Sequence, residues 1–211
     1  MARTLIPSRV PDRGRSDRVA LDQLLDEVLV GYVALSLPEG PLALPVSFAR
    51  DGEQVLFHGS TGSHRMREFA AGTPICFTVA VVDGIKVGRT AFGTGMRYRS
   101  ACLFGTCQVL EGADKVAALK VYTDRYLPGR TDEVRSIAGK ELAATMVLSL
   151  PITEWSMKAA DGFVDDDAED LALDSWAGVI PVSQALGEPI PNPDLRPGIE
   201  TPGSVHALYQ R

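Results

Sequence analysis

The sequence has little of several features that mark particular classes of protein. No run approaches the ~20 apolar residues of a membrane-spanning helix, and the longest, residues 28–37, is interrupted by Gly31 and Ser36. The Arg-rich first segment lacks the apolar core of a secretory signal. Three cysteines in 211 residues are few and odd in number. We therefore expect a reducing compartment and a cytoplasmic location, without membrane association.

Several sequence motifs for nucleotide, hydrolytic and metal chemistry are also missing. Gly93-Thr94-Gly95 does not complete the G-x-G-x-x-G pattern of a Rossmann site, and neither a Walker A lysine pattern nor a G-x-S-x-G elbow occurs. No histidine–cysteine spacing typical of zinc is present, so we expect no metal site. Seven acids in residues 161–174 account for the net charge of −6. The rest of the chain is nearly neutral, which disfavours nucleic-acid binding.

The pattern of apolar and turn residues predicts a mainly β chain of the α+β class. Short runs rich in Val, Ile, Phe and Thr alternate with turn residues, and Asp51-Gly52 and Asp83-Gly84 each predict a hairpin turn. A helix cap is predicted at Asp17. The predicted strands are 32–37, 42–48, 54–58, 74–81, 85–91, 98–110, 146–150 and 152–158, and further helices are predicted over 64–71, 114–126 and 133–144.

This order of elements indicates one antiparallel barrel or sheet with peripheral helices. Residues 1–18 are Arg- and Pro-rich and predict an extended arm, whereas 19–160 form the folded domain. Residues 161–211 are acidic and then proline-rich, and we expect them to pack as a tail on the barrel or on a partner subunit. The acidic run within this tail predicts a solvated loop. The three cysteines are expected to be small buried residues.

The most informative segment is residues 55–67, which reads as an apolar strand, a Gly/Ser/Thr turn and a helix. A helix N-terminus carries free N–H groups and a partial positive charge. Ser60, Ser63, His64 and Arg65 would add hydroxyl and basic groups, which together suit a phosphate dianion. The alternative is that Ser63 is only an N-cap and Arg65 only a solvated charge.

The segment 58–65 resembles the flavin-phosphate segment of the pyridoxamine 5′-phosphate oxidase-like, FMN-binding split-barrel proteins. That family's segment reads aromatic-Thr-Asn-x-x-Ser-Arg-Lys. Residues 43–48 lie where the family has its flavin-edge strand, Tyr98-Arg99-Ser100 is similar to its Arg-Gln pair, and residues 176–181 are similar to its tryptophan segment. The resemblance covers residues 17–185 and is closer to a flavin-nucleotide-binding branch that includes nitroimidazole-resistance reductases.

This resemblance implies an antiparallel split β-barrel that binds FMN at a homodimer interface. It places the FMN phosphate against Ser60, Ser63, His64 and Arg65. The other implied cofactor contacts are His58, the backbone of Val46, Ser47 and Phe48, and the side chains of Arg99, Ser100 and Trp176.

Two of these assignments keep alternatives. Arg99 and Ser100 are neighbours in a strand and point to opposite faces, so only one would meet the phosphate if the strand is regular. The resemblance favours Ser100, and Arg99 would then be a structural ion-pair residue. Trp176 either covers the flavin or anchors the tail on an apolar patch.

The implied function is that of an FMN-dependent oxidoreductase, similar to flavin reductases or nitroreductases, acting on a small organic substrate. Its electron donor would be NAD(P)H or another reduced carrier bound transiently. No catalytic residue is assigned, because hydride chemistry belongs to the flavin. Pyridoxamine 5′-phosphate oxidation is disfavoured, since Ala43 and Phe48 stand where that oxidase has basic residues.

Two further functions are weighed against this one. The first is a non-catalytic carrier of a flavin, a deazaflavin (F420) or haem on the same fold. The second is an interaction module that uses the acidic tail.

Overall fold

The computed structural model describes residues 10–210 and divides them into two compact units. Each unit is assembled from three separate stretches of chain. The first unit contains the described part of Met1–Ser47, Pro74–Thr106 and Pro151–Ser183, and the second contains Phe48–Thr73, Cys107–Leu150 and the described part of Gln184–Arg211.

Strands predominate over helices in the described residues. The strands are β1 (Gly14–Arg15), β2 (Val30–Leu37), β3 (Gly40–Ser47), β4 (Ala49–Asp51), β5 (Gln54–Ser60), β6 (Ile75–Val87), β7 (Gly95–Gly105), β8 (Gln108–Leu110), β9 (Thr145–Pro151), β10 (Glu154–Ala159) and β11 (Gly178–Pro181). The helices are α1 (Arg18–Glu27), α2 (His64–Ala70), α3 (Gly112–Tyr126), α4 (Arg130–Glu133), α5 (Gly139–Ala144) and α6 (Gly203–His206). Within residues 10–210, no helix has the length and apolar content that crossing a bilayer requires.

The first unit is built on a seven-stranded antiparallel sheet in the order β1-β10-β7-β6-β2-β3, with β11 also paired to β6. Alternate residues of the central strands are buried, as in Phe77 and Val79 of β6 and Leu103 of β7. Helix α1 begins after Asp17, whose side chain accepts from the Val19 amide as predicted, and packs on β7. The predicted antiparallel split-barrel fold is confirmed, with sheets that are open rather than closed.

The second unit combines a four-stranded sheet, in the order β4-β5-β9-β8, with α2 to α6. Its buried cluster joins one strand residue from each of β5 and β9 to the inner face of α3. The members of this cluster are Leu56, Ala118, Leu119 and Val147, with Leu110, Val121 and Leu142 packed against them. The predicted turn at Asp51-Gly52 is present, because Gly52 has a φ of 56° between β4 and β5.

The prediction of a hairpin turn at Asp83-Gly84 is wrong. Strand β6 runs through both residues without turning, with a register shift against β7 between Val82 and Gly84. Gly84 serves a different purpose, since a Cβ placed on it would lie 2.9 Å from the carbonyl oxygen of Ile180 in β11. The glycine between apolar runs is therefore required here for the close approach of two strands. A sequence pattern does not distinguish this requirement from a turn.

Three other predicted boundaries change. The strand predicted over 98–110 is two strands, β7 and β8, which belong to different sheets. The helix predicted over 133–144 is replaced by the short α4 and α5. In the predicted arm, residues 1–9 lie outside the described residues, whereas Gly14 and Arg15 form β1 and pair with β10.

The acidic run of the tail is not only a solvated loop, because Asp166 is buried. Its side chain is 1% exposed and forms an ion pair with Arg89 at 2.8 Å. The same carboxylate accepts from the Arg89 backbone amide at 3.1 Å. It lies so close to the chain between β6 and β7 that a Cβ at Gly93 would be 2.6 Å from it. Asp166 therefore fixes the 88–94 loop, and the strand predicted over 85–91 ends at Val87.

We expect the substitution Asp166→Ala to lower the free energy of unfolding by about 2 kcal/mol, the scale of hydrogen bonds to a charged group. The reason is that Arg89 and its amide would lose their acceptor. Chemical denaturation would measure the change. Asp165→Ala is the matched control, since Asp165 is an exposed neighbour in the same acidic run, and equal losses in the two variants would contradict the assignment.

Candidate functional site

The turn between β5 and α2 is held in shape by its own hydroxyl groups. The Ser63 hydroxyl accepts from the Met66 amide at 3.3 Å, so Ser63 is the N-cap of α2. The Ser60 hydroxyl accepts from the Gly62 amide at 3.1 Å, and the Ser63 amide donates to the Ser60 carbonyl at 2.9 Å. Both serines predicted to hold a phosphate therefore already order the turn that would receive it.

Hydrogen bonds to the end of α5 and from Arg67 of α2 also fix the turn. The Thr61 amide and hydroxyl both donate to the Ala144 carbonyl at the end of α5, at 2.9 and 3.3 Å. The Arg67 guanidinium donates to the carbonyl groups of Thr61 and Gly62 at 3.3 and 3.2 Å. Arg67 is not among the predicted site residues. Its position one helical turn after the N-cap was the available signal.

The two predicted basic residues share one carboxylate. His64 Nε2 lies 3.3 Å from Glu68 Oε1, and an Arg65 guanidinium nitrogen lies 2.9 Å from Glu68 Oε2. These contacts follow from the helical spacing, since residues three and four apart lie on one face. The side chains of His64 and Arg65 are still 71% and 34% exposed, so an anion can reach both from solvent.

His58 belongs to an aromatic cluster that also involves the backbone of Phe48. The His58 ring lies edge-on to Tyr122, with 4.4 Å between ring centroids, and Tyr122 contacts Tyr126 at 5.2 Å. Burial against these groups lowers the pKa of His58 and raises the pKa of Tyr126 to about 12.

The Tyr126 hydroxyl joins this cluster to the main chain by hydrogen bonds. It accepts from the Phe48 amide at 2.8 Å and donates to the Phe48 carbonyl at 2.9 Å. The backbone of Phe48, which the resemblance places at the flavin edge, thus already has a tyrosine partner. The predicted flavin contacts of Val46 and Ser47 stay predictions.

Val46 and Ser47 end β3, the last strand in the order of the first unit's sheet. One edge of β3 pairs with β2, where Gly31 faces Val46 and Val30 faces Ser47. Val46 is half-buried and Ser47 is exposed. Prolines at positions 41 and 45 fit the end of a sheet, because a proline cannot supply a ladder hydrogen bond.

Arg99 has the contacts of a structural ion-pair residue. Its guanidinium donates to both Asp83 oxygens at 2.9 and 2.6 Å and to both Glu27 oxygens at 2.8 and 2.9 Å. These carboxylates hold the pKa of Arg99 above its usual range. Ser100 is half-buried and faces Ala80 and Lys158 on the neighbouring strands. The contacts of Arg99 agree with the ion-pair alternative, and the predicted phosphate contact of Ser100 stays a prediction.

Trp176 is 65% exposed and lies two residues before the start of β11. Its ring folds back over Gly178, where a Cβ would lie 2.9 Å from the indole. The tail is attached to β6 by the four residue pairs of β11, so Trp176 is not needed as its anchor. Most of the indole surface is accessible to a ligand or a partner chain.

The predicted site residues are thus distributed over both units. The second unit brings Ser60, Ser63, His64 and Arg65 together in one turn and the start of one helix, and it also contains His58 and Phe48. The first unit holds Val46, Ser47, Arg99, Ser100 and Trp176 on β3, on β7 and beside β11. Among residues 10–210, no three His, Cys, Asp or Glu side chains are grouped closely enough to hold a metal ion.

Comparison with known proteins gives one family and two full-length likenesses. A model of the pyridoxamine 5′-phosphate oxidase family matches residues 17–159. The FAD and haem binding protein of Mycobacterium smegmatis is 42% identical, with 92% of this chain and 96% of that chain covered and a TM-score of 0.90. The flavocytochrome Anf3 of Azotobacter vinelandii is 31% identical, with 95% and 94% covered and a TM-score of 0.90.

A more distant likeness concerns the fold alone. A putative 5-nitroimidazole antibiotic resistance protein of Bacteroides thetaiotaomicron is 18% identical, with 69% of this chain and 85% of that chain covered and a TM-score of 0.58. No curated protein sequence matches the chain significantly.

Proposed function

The chain belongs to the pyridoxamine 5′-phosphate oxidase family, and from this membership we propose that it is a flavin-dependent oxidoreductase acting on a small organic molecule. The observation that carries the proposal is the 42% identity, over 92% of the chain, to a protein described as binding FAD and haem. The flavin would supply the hydride or electron transfer, so the protein has only to bind, orient and shield it.

The turn before α2 fits a flavin phosphate by the chemistry of its donors. The hydroxyls of Ser60 and Ser63 order the turn. The basic side chains of His64 and Arg65 lie in the first turn of α2, where solvent reaches both. The nearby Glu68 would share or release Arg65 when an anion binds.

The relatives bear on which flavin is bound. The sequence resemblance implies FMN, whereas the M. smegmatis relative is described as binding FAD. Both flavins carry the phosphate that the turn would hold, so this part of the site serves either. We propose a flavin at this site and take FMN, FAD or a deazaflavin as the outcomes of a direct measurement. Pyridoxamine 5′-phosphate is not the proposed substrate, because Ala43 and Phe48 supply no charge for its phosphate.

Haem is the second candidate cofactor, favoured by the descriptions of the M. smegmatis protein and the A. vinelandii flavocytochrome. The chain has three histidines, and imidazole is a common axial ligand of haem iron. His58 contacts the ring of Tyr122 edge-on and is exposed. We propose it as the haem ligand if haem is present. A carrier of flavin and haem without turnover remains the competing function.

Identifying the bound cofactor tests these proposals. We expect purified protein to show flavin absorption and to release FMN or FAD on denaturation, identified by mass. A haem Soret band that is lost in His58→Ala would add the second cofactor. Anaerobic reduction by NAD(P)H, followed by substrate-dependent reoxidation, separates an oxidoreductase from a carrier. A colourless protein that takes up no added flavin would refute the proposed function.

A point substitution tests the proposed phosphate contact. Arg65→Ala is expected to weaken flavin binding by about 1.5–3 kcal/mol, a tenfold or larger rise in Kd, because a charge-assisted hydrogen bond is lost. Fluorescence titration would measure it. Arg130→Ala is the matched control, since Arg130 is 35% exposed and pairs three residues on with Glu133, as Arg65 does with Glu68. Equal affinities for wild type and Arg65→Ala would remove Arg65 from the site.

We further propose that the protein is a homodimer and is cytoplasmic. An apolar row supports the dimer: Ile180, Ile85 and Met96 lie opposite one another on β11, β6 and β7 and are 50%, 43% and 57% exposed. Free cysteines support a reducing compartment. The electron donor, NAD(P)H or another reduced carrier, would bind only transiently.

We expect Ile85→Arg to halve the molar mass measured by sedimentation, because a charge placed in an apolar contact is costly to bury. Val109→Arg is the control, as Val109 is a strand residue with a similar exposure of 42% in the other unit. A wild-type protein that sediments as a monomer would exclude the dimer.

A further inference from the structure

Two of the three cysteines lie together on neighbouring strands of the first unit. Cys102 of β7 faces Thr78 of β6, and Cys76 lies two residues before Thr78 on the same face of β6. The Thr78 hydroxyl lies 3.4 Å from the sulfur of Cys76 and 3.4 Å from the sulfur of Cys102. Both thiols are half-buried, so neither is sealed in the core.

The surroundings of this pair favour a thiolate at Cys102. The Cys76 thiol and the Thr78 hydroxyl both act as hydrogen-bond donors toward its sulfur, and they lower the pKa of Cys102 to about 6. Its neighbour across β10 is Ser156, and Tyr32 of β2 lies opposite Thr78. A stabilised thiolate with a second thiol beside it is the arrangement of redox-active cysteines.

Cys107 provides the contrast within the same chain. It is 7% exposed, and burial raises its pKa to about 12. A buried thiol of this kind is inert at neutral pH. The prediction that the cysteines are small buried residues therefore holds for Cys107 and is wrong for Cys76 and Cys102, which are half-buried.

We propose that Cys76 and Cys102 are a redox-active dithiol, which a hydroperoxide such as hydrogen peroxide converts into a disulfide that joins β6 to β7. The inference is independent of any bound cofactor. The Cys102 thiolate attacks one peroxide oxygen and the O–O bond breaks. The departing hydroxide takes a proton and leaves as water, and Cys102 becomes a sulfenic acid.

The Cys76 sulfur then attacks the Cys102 sulfur. The new S–S bond forms as the S–O bond breaks, and the hydroxide leaves as a second water with the proton of Cys76. The two thiols together lose two electrons and two protons, and the peroxide is reduced to two waters. A dithiol reductant returns the pair to its starting state.

The geometry permits this bond with a side-chain movement. Both sulfurs lie 3.4 Å from one oxygen atom, and forming the disulfide requires them to close to ~2.05 Å. Cys76 and Cys102 lie on a diagonal between the two strands, since their direct partners are Phe104 and Thr78. A link along such a diagonal leaves the direct pairs Thr78–Cys102 and Cys76–Phe104 in register.

Intact-mass analysis of the full-length protein as purified tests the proposal. On treatment with hydrogen peroxide, wild type and Cys107→Ser are expected to lose about 2 Da, which dithiothreitol restores. Cys76→Ser is expected instead to hold a sulfenic acid at Cys102 that dimedone traps, and Cys102→Ser is expected to form no intramolecular disulfide. Peptide mapping of oxidised wild type should give a crosslink between Cys76 and Cys102.

Alkylation of the reduced protein at pH 7 supplies a measurement that needs no variant. We expect iodoacetamide to modify Cys102 at least about tenfold faster than Cys107, because the thiolate is the reacting species. The proposal is overturned if wild type shows no loss of mass with peroxide, if mapping finds Cys107 in the disulfide, or if Cys107 is alkylated as fast as Cys102.

Discussion

The close pairing of β11 with β6 is the constraint on which the first unit depends. At Gly84 the two backbones approach so closely that a Cβ would meet the Ile180 carbonyl at 2.9 Å. The pairing returns a segment of the tail to the sheet, and it is extended by the Val182 amide donating to the Asp83 carbonyl. Asp83 in turn binds Arg99. Because Gly84 has no side chain, the tail can pair with β6 at this point, and Trp176 lies just before that pairing.

The turn between β5 and α2 in the second unit is ordered by its own side chains and is followed by basic residues that solvent reaches. The hydroxyls of Ser60 and Ser63 satisfy backbone amides, which gives the turn its shape without any ligand. The side chains of His64 and Arg65 at the start of α2 both contact Glu68, which lies on the same face of the helix. Ion pairs that solvent reaches contribute little stability, so Arg65 can exchange this partner at little cost.

Acidic residues of the tail have two different roles, although they belong to one acidic run. Asp166 enters the protein and binds Arg89, whereas its neighbours Asp165 and Asp167 are exposed. A run of acids indicates solvation on average, because each charge is costly to bury. The partner that makes one of them an exception lies 77 residues away in sequence, so no local pattern identifies it.

Local patterns determined much of this protein. The cap at Asp17, the turn at Asp51-Gly52, the antiparallel class and the strand–turn–helix around residues 55–67 follow from interactions between residues close in sequence, which composition and spacing reveal. Tertiary structure decided the rest: the role of Gly84, the ion pairs of Arg99, the burial of Asp166, and the meeting of Cys76 with Cys102. Each of these depends on which strands become neighbours, and strand pairing is set by the packing of the whole unit rather than by any segment alone.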